Sequence, residues 1–101
     1  MIVEYIRYRV PGPDGDQLIE AYEKAAEPLL ASGHCLAYEV SRCVDEPEAI
    51  VVRIEWDSAE GHLRGFRSGP QFPAFFALIR PFVKQIEEMR HYEVQTARSA
   101  S

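Results

Sequence analysis

The chain has no asparagine, one tryptophan, three histidines and two cysteines in 101 residues. Each scarcity excludes something. Basic residues number 11 against 16 acidic ones, for a formal net charge of -5, and they never form a run. A nucleic-acid surface needs clustered cations to displace counterions from phosphates, so no nucleic-acid partner is expected. Basic amphipathic helices suited to a membrane surface are missing too. No apolar run approaches the roughly 20 residues that cross a bilayer. The start, Met1-Ile2-Val3-Glu4, has no basic stretch followed by an apolar one. No secretion signal is read, and a cytoplasmic location is expected.

Cys35 and Cys43 fall in one expected strand. Eight residues of strand separate them by about 26 Å, while a disulfide needs Cα atoms within about 7 Å. An intrachain bridge is excluded unless that strand is broken. Neither cysteine belongs to a C-x-x-C, and no grouping of His, Cys and carboxylates has metal-ligand spacing. No metal and no cofactor is expected. No phosphate-binding glycine loop or G-x-S-x-G elbow occurs.

What is present is apolar material, 47% of the chain, at a length suited to one domain. Ile2 to Val10 reads as a strand whose two faces both mix apolar and polar groups: Ile2, Glu4, Ile6 and Tyr8 on one, Val3, Tyr5, Arg7 and Arg9 on the other. Pro11-Gly12-Pro13 ends it. Asp14 or Asp16 is expected to cap a helix in which Leu18, Ala21, Tyr22, Ala25 and Leu29 form one apolar stripe. Pro28 predicts a kink or a tightened last turn, and Gly33 a stop.

His34 to Cys43 and Ala49 to Asp57 read as an antiparallel hairpin joined by Asp45-Glu46-Pro47-Glu48. Ile50, Val52, Ile54 and Trp56 share the face suited to helices. Ser58 is expected to cap a short helix to Arg67, broken by Ser68-Gly69-Pro70. Phe72, Phe75, Phe76, Ile79, Phe82, Val83 and Ile86 then recur at helical spacing, with a kink at Pro81. A last strand is expected from about Glu88 to Gln95. One domain over 1–95 with a disordered tail over 96–101 completes the reading. The order β-α-β-β-α-β is that of a ferredoxin-like α+β fold with an antiparallel sheet. Its second sheet face carries too much aromatic material to stay in water, which predicts a homodimer.

At Tyr38-Glu39-Val40, Ile54-Glu55-Trp56-Asp57-Ser58, Ser68-Gly69-Pro70-Gln71-Phe72 and His91-Tyr92 the chain resembles the antibiotic biosynthesis monooxygenase domain family, the small dimeric α+β barrels. It also resembles the monooxygenase-like domains found beside truncated globins. The resemblance implies a homodimer and, for several members, oxidation of quinols, anthrones or similar aromatics by O2 with no metal or flavin. Other members degrade haem with an Asn–Trp–His triad. Here there is no Asn, Gly65 falls about where their helix Trp lies, and Phe76 near their His, so haem breakdown is not expected. Many members carry a His near the Gly65 position; the nearest imidazole here is His62, one turn earlier.

The candidate catalytic residues are His62 as base, Arg67 as holder of an anionic oxygen, and Trp56. Ile54, Phe66, Phe72, Phe76, Tyr8, Tyr22 and Tyr38 are the candidate ligand pocket. Each has a structural alternative. Trp56 suits a core anchor, His62 a semi-exposed surface histidine, and Arg67 an ion pair. His34 and His91 are read as interface or edge hydrogen-bond partners. Two functions stay open: a cofactor-independent monooxygenase acting on a small aromatic, and a non-catalytic dimeric module that binds a small ligand or partner.

Overall fold

A computed structural model describes residues 1–100. Ser101, the last residue of the expected tail, lies outside the described residues. Four strands form one sheet: β1 (Ile2–Arg9), β2 (Cys35–Arg42), β3 (Ala49–Trp56) and β4 (Ile86–Glu93). Their order is β2-β3-β1-β4, and every neighbouring pair is antiparallel. This is the expected ferredoxin-like α+β arrangement. Among the described residues no helix is long and apolar enough to cross a membrane.

The faces follow from alternation. Along β1, Glu4, Ile6 and Tyr8 point into the core; opposite them on β3 are Ile54, Val52 and Ile50. Helix α1 (Asp14–Ala31) buries Leu18, Ala21, Tyr22, Ala25 and Leu29, the stripe legible in the sequence. The helix runs through Pro28 to Ala31, and Gly33 takes the chain out with φ 77°. Neither Asp14 nor Asp16 caps it. Pro13 occupies that position with no side-chain cap bond, and both aspartates sit in the first turn. There they meet the positive end of the helix dipole, while Asp16 also accepts from Arg42 at 3.0 Å.

Two expectations on the C-terminal half need correction. The segment after Ser58 is a π-helical turn (Gly61–Phe66), closed by Arg67 N–H donating to the His62 carbonyl. Ser58 does anchor its start, its Oγ accepting from the Gly61 N–H at 2.8 Å. The phenylalanine stripe is not one helix. Helix α2 spans Phe72–Ile79 and gives way to a 3₁₀ segment (Arg80–Gln85). Pro81 has no N–H for the α ladder and crowds the preceding turn, so the helix tightens there. Ile86 consequently belongs to β4, which begins before Glu88. Cys35 and Cys43 are both free thiols.

Candidate functional site

The site lies where β3 hands over to the π-turn. Trp56 ends β3 on the core face and is 1% exposed. His62 stacks on its indole, ring centroids 4.3 Å apart and 15° between planes. Phe66, four residues on, packs against the same indole at 5.1 Å. Positions i and i+4 of the turn thus clamp Trp56 from one side. The turn's opposite side is glycine for steric reasons. A Cβ on Gly61 would strike the Asp57 carboxylate, and one on Gly65 would strike the His34 ring.

Trp56 and His62 converge on Glu4, a buried carboxylate in the middle of β1. The indole N–H donates to Glu4 Oε1 at 3.0 Å. His62 Nε2 lies 3.6 Å from the same oxygen. The β1–β4 register sets His91 directly opposite Glu4, with Nε2 4.0 Å from Oε2. His91 Nε2 and His62 Nδ1 are 2.6 Å apart and share a hydrogen bond. Four side chains from β1, β3, the π-turn and β4 therefore form one connected cluster. No buried side-chain nitrogen or oxygen among the described residues is left without a partner.

Burial dominates the cluster's electrostatics. It pushes the Glu4 carboxyl above its ordinary range, against the Trp56 hydrogen bond and the positive character of His91 and Arg67. It pushes His62 down to about 4, helped by His91 and Arg67, so that imidazole is neutral at pH 7. A carboxyl drawn up and an imidazole drawn down are two neighbouring groups tuned toward exchanging a proton.

Beside the cluster is a cavity of about 170 Å³. Ile54, Trp56, Phe66, Phe72 and Phe76 line it together with Glu4, His62 and Arg67. Arg67, Phe76, Val83 and Met89 are its exposed members and mark the mouth. The Arg67 side chain makes no hydrogen bond or ion pair with another described residue, while lying close enough to shift Glu4 and His62. Tyr8 and Tyr22 line the inner wall, their hydroxyls 2.7 Å apart. Burial pushes the Tyr8 phenol up to about 12, and Tyr22 is raised well above its ordinary value by the same cause.

Several sequence expectations change at this point. Tyr38 is not part of the wall: its hydroxyl donates to the Tyr22 carbonyl and braces α1 from behind. His62 is not semi-exposed but 5% exposed, because the π-turn lays it flat on Trp56. His91 serves the cluster. His34 instead pairs with Asp57 at 2.9 Å on the other side of the turn, away from the cavity. Glu4 and His91 were absent from the candidate site. Metal-ligand spacing was absent from the sequence, yet one donor atom each from Glu4, His62 and His91 lies within 4.8 Å of the others. The available signal was a glutamate at an inward position of an otherwise apolar strand face.

The sequence profile described as "Antibiotic biosynthesis monooxygenase" matches residues 1–78. The chain belongs to the antibiotic biosynthesis monooxygenase family. The uncharacterized protein YczJ of Bacillus subtilis (strain 168) is 23% identical over 74 residues, covering 73% of this chain and 78% of that protein. Among solved structures, a Bordetella bronchiseptica protein provisionally assigned to the same family superposes with a TM-score of 0.77 at 15% identity, over 94% of this chain and 97% of that one. SnoaB, a cofactor-independent oxygenase from Streptomyces nogalater, gives 0.77 at 13% identity, over 95% and 94%. At those identities the likeness is one of fold, and any chemistry rests on the residues of this chain's own cavity.

Proposed function

We propose that this family member is a cofactor-independent monooxygenase that oxidises a small electron-rich aromatic of the quinol or anthrone type with O2. The observation that carries the reading is the buried Glu4–His62 pair, hydrogen-bonded through His62 to the more exposed His91, opening onto an aromatic cavity. The neutral His62 imidazole takes the phenolic proton, the role of a positioned general base. The resulting anion passes one electron to O2. The two radicals then combine to a carbon–oxygen bond, giving a peroxide. Protonation of the distal peroxide oxygen, with loss of a ring proton, breaks the O–O bond and releases water. The balance is quinol plus O2 to hydroxyquinone plus water.

Arg67 at the mouth supplies positive charge for the phenolate and peroxide oxygens. The paired hydroxyls of Tyr8 and Tyr22 share one hydrogen bond, which leaves one phenolic proton with no protein acceptor among the described residues. That proton suits a second oxygen at the far end of the substrate. An apolar cavity of roughly 150 Å³ admits a benzene-sized molecule. The volume here therefore favours a one-ring quinol over a three-ring anthrone, and is far too small for a porphyrin.

The working unit in this reading is a homodimer joined through the outer sheet face. There Tyr5 and Tyr92 meet edge to face at 5.5 Å, beside an Arg53–Glu55 pair at 2.6 Å. Both tyrosines are exposed in the single chain. Light scattering should give twice the chain mass at micromolar concentration, and a monomer would reject the dimer.

Turnover decides the chemistry. With chelator present, a panel of one-ring quinols should be oxidised in air with one O2 consumed per quinol, and not under nitrogen. Loss of the reaction in His62→Ala would complete the case. Tight binding of the same quinols without O2 consumption would favour a non-catalytic ligand-binding module.

A further inference from the structure

We infer that Glu4, His62 and His91 form a binding site for a divalent transition-metal ion of the zinc class. The argument starts from donor chemistry. Two imidazoles and one carboxylate suit Zn²⁺ and its neighbours, and leave coordination positions open. These three side chains arrive from β1, the π-turn and β4, and a donor atom from each lies within 4.8 Å of the others. Donors bonded to one such ion at 2.0–2.2 Å sit roughly 3.0–3.5 Å apart. Here His62 Nδ1 and His91 Nε2 are 2.6 Å apart, and His91 Nε2 and Glu4 Oε2 are 4.0 Å apart. Side-chain shifts of under about 1 Å bring these two separations into that range, and the third, within 4.8 Å, closes by a swing of the Glu4 carboxylate or the His62 ring.

The surroundings hold these donors in orientation. The Trp56 indole N–H occupies Glu4 Oε1, which leaves Oε2 to face His91. Stacking on Trp56 fixes the plane of the His62 ring. With the ion on His62 Nδ1, the ring proton resides on Nε2, which already faces Glu4 Oε1 at 3.6 Å. Arg67 opposes a cation, but its exposed side chain is screened by water. The surface pair His34–Asp57 has no third His, Cys or carboxylate donor among the described residues and serves as an internal control.

A second consequence rests on the monooxygenase reading. The ion takes the His62 lone pair that would accept a phenolic proton, so metal occupancy and quinol turnover exclude each other, and Zn²⁺ acts as an inhibitor.

The test uses the full chain stripped with chelator and titrated with Co²⁺, followed by visible d–d absorbance. The expected result is one Co²⁺ per chain, displaced by Zn²⁺. Binding should weaken on the order of tenfold or more in His91→Ala and stay unchanged in His34→Ala. His91 is 36% exposed, so its truncation should leave the fold intact, as a thermal melt would verify. Arg67→Gln should tighten binding. Absence of d–d absorbance, or binding indifferent to His91→Ala, would overturn the site. Oxygen consumption by the stripped protein reports on the proposed reaction alone. Bound Co²⁺ with no turnover would therefore reject the reaction and keep the site, and turnover without Co²⁺ binding the reverse.

Discussion

Two histidine–carboxylate pairs flank the same π-turn, and they are held on opposite terms. His34 and Asp57 meet at 2.9 Å with both side chains more than a third exposed. The His34 hydrogen bond draws the Asp57 carboxyl below its ordinary range, as a donor to a carboxylate does. His62 and Glu4 stand 3.6 Å apart with side chains 6% and 3% exposed. There the imidazole is driven down and the carboxyl up, so each is pushed toward its neutral form. The residue types are the same, and the difference is solvent. Water reaches the outer pair, and the Asp57 carboxylate carries its charge there. The inner pair has lost its water, and burial dominates its titration. The inner pair adjoins the aromatic-lined cavity, whereas the outer pair borders an open, polar surface depression.

Removing Trp56 should break this contrast most severely. Trp56→Ala deletes the buried indole beneath His62 and the hydrogen bond to Glu4, and should cost roughly 3–5 kcal/mol. A fall in the urea midpoint by less than a conservative surface change would refute the anchor role. His62→Ala should lower quinol turnover by on the order of 10²-fold or more if His62 is the base. Because the side chain is buried, it should also lower stability measurably, which a semi-exposed histidine would not.

Acid sharpens the comparison. The folded pKa of His62 lies below its unfolded value of 6.5, so its contribution to stability is complete above pH 6.5. It is lost as pH falls toward 4, because the unfolded imidazole takes up a proton that the folded one resists. Protonation of Glu4, which is raised, works in the opposite sense over its own range. The wild type should therefore lose stability relative to His62→Gln between pH 6.5 and about 4. NMR of the ring carbons should show His62 neutral down to that pH. An imidazole that titrates near 6.5 would contradict the buried cluster.

The outer pair gives smaller effects. Gly65→Ala places a methyl against the His34 ring and should cost about 1–3 kcal/mol as overpacking. Combining it with His34→Ala should recover most of that loss, and a double variant no better than the single would exclude the close contact as the cause. His34→Ala alone should leave quinol turnover unchanged and shift the melting temperature least of all. A large loss of turnover there would move the chemistry to the wrong side of the turn.

Much of the cavity wall was legible in the sequence. Ile54 and Trp56 alternate onto one strand face, His62 and Phe66 repeat at i and i+4, and Phe72 and Phe76 share a helical stripe. All of them line the cavity. These are short-range periodicities, carried by a few consecutive residues. The helical stripe misled at one point for a related reason. Spacing continues through Pro81, but the α-helical hydrogen-bond ladder does not, so Ile86 was assigned to a helix when it begins β4. Tyr38 looked equivalent to Tyr8 and Tyr22 in the sequence. Only its position on the edge strand β2, with its hydroxyl reaching the Tyr22 carbonyl, takes it out of the wall.

By itself the sequence determined the element order, the family, the inward face of each strand and the aromatic character of the cavity. Each of those depends on local spacing and composition. The cluster depends on something else. Glu4 meets His91 because β1 and β4 pair in one register out of several that their alternation would allow. His62 reaches both because an extra residue in the turn lays its ring on Trp56. Register and turn geometry are decided by packing across the whole domain. They turned a glutamate with no obvious role and two widely separated histidines into one connected site.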